Sequence, residues 1–350
     1  MTQALLDIHD LWVGFSSEAG TIHGTRGVSL SVDTGETLAL VGESGSGKSV
    51  TALAILGLVE HGGGRIERGT LMFRRRDGAT VDLATAAART RRAIRGNEIA
   101  MVFQEPMTSL NPVLQIGEQI AEAVRLHQGL GHRAARGVAE ETLARVGIPE
   151  PRKRLTSYPH LLSGGMRQRV MIAMALSCQP SLLIMDEPTT ALDVTIQAQI
   201  LDLVRDLQSE IGMAVLFITH DLSVVAEVAD GVVVMYAGQA VEEATVEDLY
   251  ANPRHPYTAA LLRSIPRLDR RADATRAPLS AIPGVVPHPL AMPPGCAFAP
   301  RCDGAVPDPC ERTRPSAEPV NSSTGHTVRC FRWCDGVAGT TAQAQLGAAE

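Results

Sequence analysis

The residues Gly42-Glu-Ser-Gly-Ser-Gly-Lys-Ser49 carry the plainest chemistry in this 350-residue chain. They fit the pattern G-x-x-x-x-G-K-[ST], in which Gly42, Gly45 and Gly47 let the backbone turn its N–H groups inward on a polyphosphate. Lys48 supplies a cation for the terminal phosphates, and the Ser49 hydroxyl is a ligand for Mg²⁺. Glu43, Ser44, Ser46 and Val50 complete the cradle. Leu182-Leu-Ile-Met-Asp186-Glu187-Pro188 is an apolar run ending on two carboxylates. Asp186 suits a phosphate-bound Mg²⁺, and Glu187 suits a general base that polarises water. His220 ends another apolar run and can contact a γ-phosphate and its water. Gln104, at the end of Ile99–Phe103, is a residue type that ligates Mg²⁺ or positions water. Ser163 before Gly164 and Gly165 is a good N-cap with open amides behind it, a second anion-binding helix start. Phe15 offers a flat face for a base.

Six cysteines are spread unevenly: Cys178 stands alone, while Cys296, Cys302, Cys310, Cys330 and Cys334 crowd the last fifth of the chain. In a reducing compartment such clustering points to a metal or cluster site before disulfides. Four thiolates suit either Zn²⁺ or an iron–sulfur cluster, although the paired C-x2-C knuckles common in zinc sites are absent.

These residues need elements to hold them. Thr37–Val41 before the glycine loop reads as a strand and Ser49–Leu58 after it as a helix, whose positive end faces the phosphates. Alternation at Leu11, Val13 and Phe15 and at Val28, Leu30 and Val32 predicts strands over 4–32, with short strand-like pieces at Leu71–Phe73 and Val81–Leu83. Residues 110–178 show helical stripes and no strand pattern, which predicts an inserted helical subdomain. Leu182–Asp186 and Ala214–Thr219 read as core strands flanking an amphipathic helix over Thr195–Gly212. Val232–Tyr236 and Gln239–Glu242 suggest a hairpin. Beyond a short helix at Thr258–Ser264, the Pro-rich stretch Pro278–Pro319 excludes regular helix and central strand, so it needs something other than a large core to hold it.

Composition is ordinary for a globular chain, 45% hydrophobic and 20% charged. A net charge of −6 gives no electrostatic footprint for nucleic acid. The first residues lack the basic and apolar regions of a signal peptide, and no apolar run approaches the ~18 residues that cross a bilayer. The expectation is a soluble intracellular protein whose membrane role comes through partners.

Taken together, these motifs resemble the ATP-binding subunits of ABC transporters over residues 4–250. Gly42–Ser49 is similar to the Walker A loop, Gln104 to the Q-loop residue, and Leu162–Met166 to the signature. Leu182–Asp186 resembles Walker B, with Glu187 in the catalytic-base position, Ala191–Asp193 resembles the D-loop, and His220 the switch histidine. Phe15 lies where the adenine-stacking aromatic is found. Met166, where Gln is commoner, and the tail Asn252-Pro-Arg-His-Pro-Tyr-Thr-Ala-Ala-Leu-Leu look like the oligopeptide/dipeptide (peptide and nickel) importer branch. The resemblance implies an α/β P-loop NTPase (RecA-like) core with an antiparallel β subdomain and a helical subdomain over about 108–178. These fill residues 1–250, and 251–350 form a small irregular Cys-rich extension. It implies ATP and Mg²⁺, the metal being held by Ser49, Gln104 and Asp186. The spacing Cys296-x5-Cys302-x7-Cys310-x19-Cys330, with Arg301 and His326 between, also looks like that branch's extension, and the resemblance implies that these four cysteines hold a [4Fe–4S] cluster, with Zn²⁺ the alternative. The partners implied are a second ATPase subunit (a paralogue, making a heterodimer), two transmembrane permeases and, indirectly, a substrate-binding protein, at the cytoplasmic face of the membrane. Peptides are the implied cargo, with nickel or glutathione as alternatives, and nucleic acid is not implied.

Overall fold

The computed structural model describes residues 4–104, 109–189, 193–265, 281–320 and 325–333. Ala191, Leu192 and Cys334 lie outside the described residues.

The first sheet is antiparallel, with strand order β2-β1-β4-β5, formed by β1 (Leu6–Ser17), β2 (Gly20–Val32), β4 (Gly64–Arg74) and β5 (Thr80–Asp82). Apolar alternation in β1 changes parity, from Leu6 and Ile8 to Leu11 and Val13, all buried. A register shift between Ile8 and Leu11, with Asp10 at φ 52°, inserts the extra residue that keeps both pairs facing the core.

The larger sheet runs β11-β12-β10-β9-β3-β8-β7-β6, its antiparallel edge formed by β10 (Gln239–Thr245), β11 (Glu318–Pro319) and β12 (Thr327–Val328). Its parallel centre comprises β3 (Thr37–Val41), β6 (Ile99–Val102), β7 (Leu182–Asp186), β8 (Ala214–Thr219) and β9 (Gly231–Tyr236). Every residue of β3, β7 and β8 is buried, as strands covered on both faces must be, and their continuous apolar runs record that. In such sheets ligands bind beyond the carboxyl ends of the strands. Here those ends lead into Gly42, Glu187 and His220.

α1 (Lys48–Ile55) follows the glycine loop, and α2 (Ala88–Ile94) lies in the Arg-rich stretch where no helix is expected from pattern. α2 buries only Ile94, so it lacks the apolar stripe by which sequence betrays a helix. The helical subdomain contains α3 (Ile116–Gln128), α4 (His132–Arg145), α5 (Pro151–Arg154) and α6 (Gly164–Leu176), with no strand among its described residues. α3 buries Ile116, Ile120 and Val124 at helical spacing against Leu143, Val146 and Val170. α7 (Val194–Ile211) packs Ile200, Leu201, Val204 and Leu207 into the same cluster. α8 (Leu222–Val228) precedes β9; after β10 (Gln239–Thr245) come α9 (Val246–Ala251) and α10 (Pro256–Ser264). The described helices include none long and apolar enough to cross a membrane.

Among the described residues beyond α10 regular structure is sparse: two 3-10 turns, the single turn α11 (Pro309–Arg312), and two-residue strands β11 (Glu318–Pro319) and β12 (Thr327–Val328). β12 pairs with β10 and so continues the large sheet. Phe298 and Ala297 from this stretch share a core with Ala39, Val41, Tyr236 and Tyr257.

Candidate nucleotide site and thiol cavity

The glycine loop has the backbone its sequence demands. Gly42, Gly45 and Gly47 sit at φ 156°, 78° and 103°, where side chains are strained. A Cβ on Gly42 would meet the Met235 carbonyl oxygen at 2.2 Å, and one on Gly47 the Gly24 carbonyl oxygen at 2.4 Å. Lys48 is buried and donates to the carbonyls of Gly42 and Glu43, at 2.6 and 3.1 Å. Burial lowers its pKa, while the negative charges of Glu187, Asp186 and Glu43 pull it back up. The ammonium therefore sits where a polyphosphate would replace its carbonyl partners. Phe15 is half-buried beside Val50, both packed against the core of the β subdomain, with Gly24 between them.

Asp186 is buried at the end of β7. Burial raises its pKa, opposed by a hydrogen bond from Ser49. Its Oδ1 is buried with no hydrogen-bond partner. An orphaned carboxylate oxygen beside a serine hydroxyl is the arrangement a hard divalent cation satisfies, and Mg²⁺ fits this donor set.

Glu187, Gln104 and His220 lie far apart in sequence and meet in the structure. Gln104 Nε2 donates to Glu187 Oε2 at 3.1 Å, and His220 Nδ1 lies 3.2 Å from Glu187 Oε1. Glu187 takes a left-handed φ of 46°, its N–H donating to the Ile218 carbonyl of β8 at 2.9 Å. Strand β8 thus fixes the position of the carboxylate on β7. A non-glycine residue held at positive φ costs on the order of 1 kcal/mol, which the surrounding structure offsets.

Ser163 caps α6, its hydroxyl accepting from the Met166 amide at 3.4 Å. Ser163 and Gly164 are exposed, and α6 belongs to the helical-subdomain core, whereas α1 belongs to the β-subdomain core. Asp193, from the expected D-loop, caps α7 by accepting from the Ile196 amide at 2.9 Å.

The four expected cysteines of the tail line one cavity, together with His255, Phe298 and Gly304. The void among them is only about 10 Å³, room for one water-sized sphere. Among the described residues no group of three or more His, Cys, Asp or Glu is arranged to hold a metal ion. Burial pushes the thiols of Cys296 and Cys302 up and that of Cys330 to about 12, and neighbouring cysteines add to each shift. Backbone N–H groups of Phe298 and Ala299 soften this at Cys296. The Val306 amide donates to Cys310 Sγ at 3.3 Å.

Sequence reasoning missed two partnerships. Glu242 is buried although it lies in a hairpin; it accepts from the amides of Arg254 and His255 and pairs with His326 Nε2 at 2.8 Å. Glu43 is held by residues of the tail, Tyr257 and Arg301. Neither partnership joins residues close in sequence, so no local pattern announces it.

Comparison with known proteins agrees with this geometry. Residues 25–190 match the ABC transporter family model, and 241–310 match that of the oligopeptide/dipeptide transporter C-terminal region. The chain is 55% identical over 333 residues to a putative peptide import ATP-binding protein of Brucella melitensis, covering 95% of this chain and 98% of that one. It is 52% identical over 327 residues to the oligopeptide transport ATP-binding protein AppD of Bacillus subtilis, covering 93% and 96%. With the glutathione import ATP-binding protein GsiA of Pectobacterium atrosepticum it shares 60% over 264 residues, 75% of this chain and 42% of that one. Among solved structures, a dimeric post-hydrolysis state of the ATP-binding cassette MJ0796 bound to ADP and Pi matches with a TM-score of 0.61. That match is at 26% identity, over 69% of this chain and 98% of the other.

Proposed function

This chain belongs to the ATP-binding subunits of ABC transporters, and from that premise we propose that it is the ATPase of a peptide importer. The observation that carries the proposal is the meeting of Gln104, Glu187 and His220 beside the Asp186–Ser49 pair, at the strand ends facing the phosphate loop.

The amides of Gly42–Ser49 and the Lys48 ammonium hold the triphosphate. Phe15 stacks on the base, and Val50 supports it. Ser49, Asp186 and Gln104 would hold Mg²⁺, which would supply positive charge to the phosphates. Glu187 accepts a proton from the attacking water, which competes with Gln104 for Glu187 Oε2. His220 steadies Glu187 from its other oxygen and reaches the γ-phosphate. The exposed Ser163 and Gly164, with Gly165, close over the nucleotide of a facing cassette. ATP then becomes a contact shared by two subunits, and its cleavage weakens the joint.

The facing cassette is a paralogue, and two membrane-embedded permeases sit above the pair at the cytoplasmic face. Gln104, between the sheet and the helical subdomain, relays nucleotide state to them. Cys296, Cys302, Cys310 and Cys330 would hold a [4Fe–4S] cluster, whose metal–thiolate bonds would close the long loops of the tail; Zn²⁺ is the alternative. Likeness to the peptide import proteins supports peptide cargo over nickel. Likeness to the glutathione importer keeps that tripeptide within the class.

The test is Mg-ATP hydrolysis by the chain reconstituted with its co-purifying membrane subunits. Stimulation by oligopeptide-loaded binding protein, and not by glutathione or Ni²⁺ alone, is expected. Hydrolysis indifferent to peptide would refute the cargo.

A further inference from the structure

We propose that Arg301, in the Cys-rich tail, is a positioning residue for the phosphate loop, so that this loop is set from outside the cassette core. The inference rests on the reading of Gly42–Ser49 as the ATP site.

Arg301 is buried, and its guanidinium forks onto the Glu43 carboxylate, Nη1 to Oε2 at 2.8 Å and Nη2 to Oε1 at 3.1 Å. Its remaining donors are also used: Nε reaches the Pro283 carbonyl at 2.8 Å, and Nη1 the Tyr236 hydroxyl at 3.3 Å. The guanidinium lies over the rings of Tyr236 and Phe298. It is therefore fixed in direction before it meets Glu43. From the same side the Tyr257 hydroxyl accepts from the Glu43 amide at 2.9 Å. Tyr236, Tyr257 and Phe298 pack ring on ring, with centroids 4.7 to 5.4 Å apart.

Glu43 is thus gripped at both side chain and amide, while its carbonyl faces Lys48 at 3.1 Å. Gly42 before it and Gly45 after it have a wider range of φ than other residues, so a loop without this grip would sample more conformations, including ones that point its amides away from a phosphate. Preorganisation of that kind lowers the cost of binding without touching the reacting atoms. A bidentate Arg–carboxylate pair is directional in a way a point charge is not. Arg301 also directly precedes Cys302, a wall of the thiol cavity, so the tail's local structure is passed to the loop.

The test compares Mg-ATP binding by calorimetry, and KM and kcat in the reconstituted complex, for wild type, Arg301→Gln, Arg301→Lys and Glu43→Gln. Arg301→Gln should raise Kd and KM about tenfold with kcat within about twofold, the signature of lost ground-state binding. Arg301→Lys should recover part of the affinity. The double variant with Glu43→Gln should be no worse than either single, because both remove one interaction. Wild-type affinity in Arg301→Gln, or additive effects in the double variant, overturns the proposal. If Arg301→Gln does not fold, Glu43→Gln and Arg301→Lys decide, and unchanged Kd in both overturns it. A wild type that binds no Mg-ATP sinks the ATP site itself, whereas wild-type binding with indifferent variants sinks only the brace.

Discussion

The cassette and its tail are stabilised by opposite means. From β1 to β10 the chain buries strand after strand in two large apolar clusters, and each buried Leu, Ile or Val contributes roughly 1.5–3 kcal/mol. From 281 onward the described chain has no strand longer than two residues, and its anchors are specific. They are a thiol cavity, the Glu242–His326 pair, the Arg301–Glu43 fork and one aromatic cluster. Many interchangeable contacts make a core tolerant of single changes, whereas a few directional ones make a tail that fails at single residues. The tail nevertheless touches the phosphate loop through Glu43, so its few contacts bear on nucleotide binding.

The largest expected effect lies in the cassette. Glu187→Gln keeps the hydrogen-bonding shape but removes the base, so hydrolysis should fall by about 10²–10⁴-fold, with a nucleotide-bound pair accumulating in gel filtration. Near-normal turnover would remove Glu187 from its role. In the tail, replacing Cys302 and Cys310 with Ser should abolish any brown absorbance near ~400 nm and lower the melting temperature of the tail. The sheet signal of the cassette should be unchanged by circular dichroism. Iron and zinc analysis of the wild type sharpens this, because zinc without iron would make the cluster assignment wrong.

A smaller effect separates the regions by pH. Burial, with the negative charge of Glu36 adding, raises the Glu243 carboxyl to about 7, against about 4.3 in an unfolded chain. Asp33 and Asp230 in turn face Glu36. The folded state thus holds a proton that the unfolded state releases earlier. The stability this protonated carboxyl brings is full below about pH 4.3 and is lost as pH rises through about 7. Glu243→Gln should therefore stabilise the protein by roughly 1–3 kcal/mol at pH 8 and by little at pH 4, read from urea midpoints. An equal gain at both pH values would contradict the shift.

The same contrast explains what the sequence disclosed. Strands β7 and β8 are apolar runs bounded by charge, and their observed limits coincide with those read from pattern. The glycines of the phosphate loop are legible because positive φ leaves few other residue types. Gln104, Glu187 and His220 could be named from their strand ends, since parallel strands bring their carboxyl ends together. Helix α2 was hidden because it buries a single side chain. Glu242 in a hairpin strand resembles any solvated carboxylate until the amides of Arg254 and His255 are seen on it. Arg301 and Glu43 are 258 positions apart, and nothing in either neighbourhood calls for the other.

The central claim is that the glycine-flanked amides and Lys48 grip a nucleoside triphosphate. Isothermal titration of Mg-ATP into wild type and into Lys48→Ala tests it most directly. Saturable binding by wild type, weakened at least tenfold in Lys48→Ala, is the predicted result. The absence of binding heat in wild type, or equal affinity in the two proteins, would contradict it.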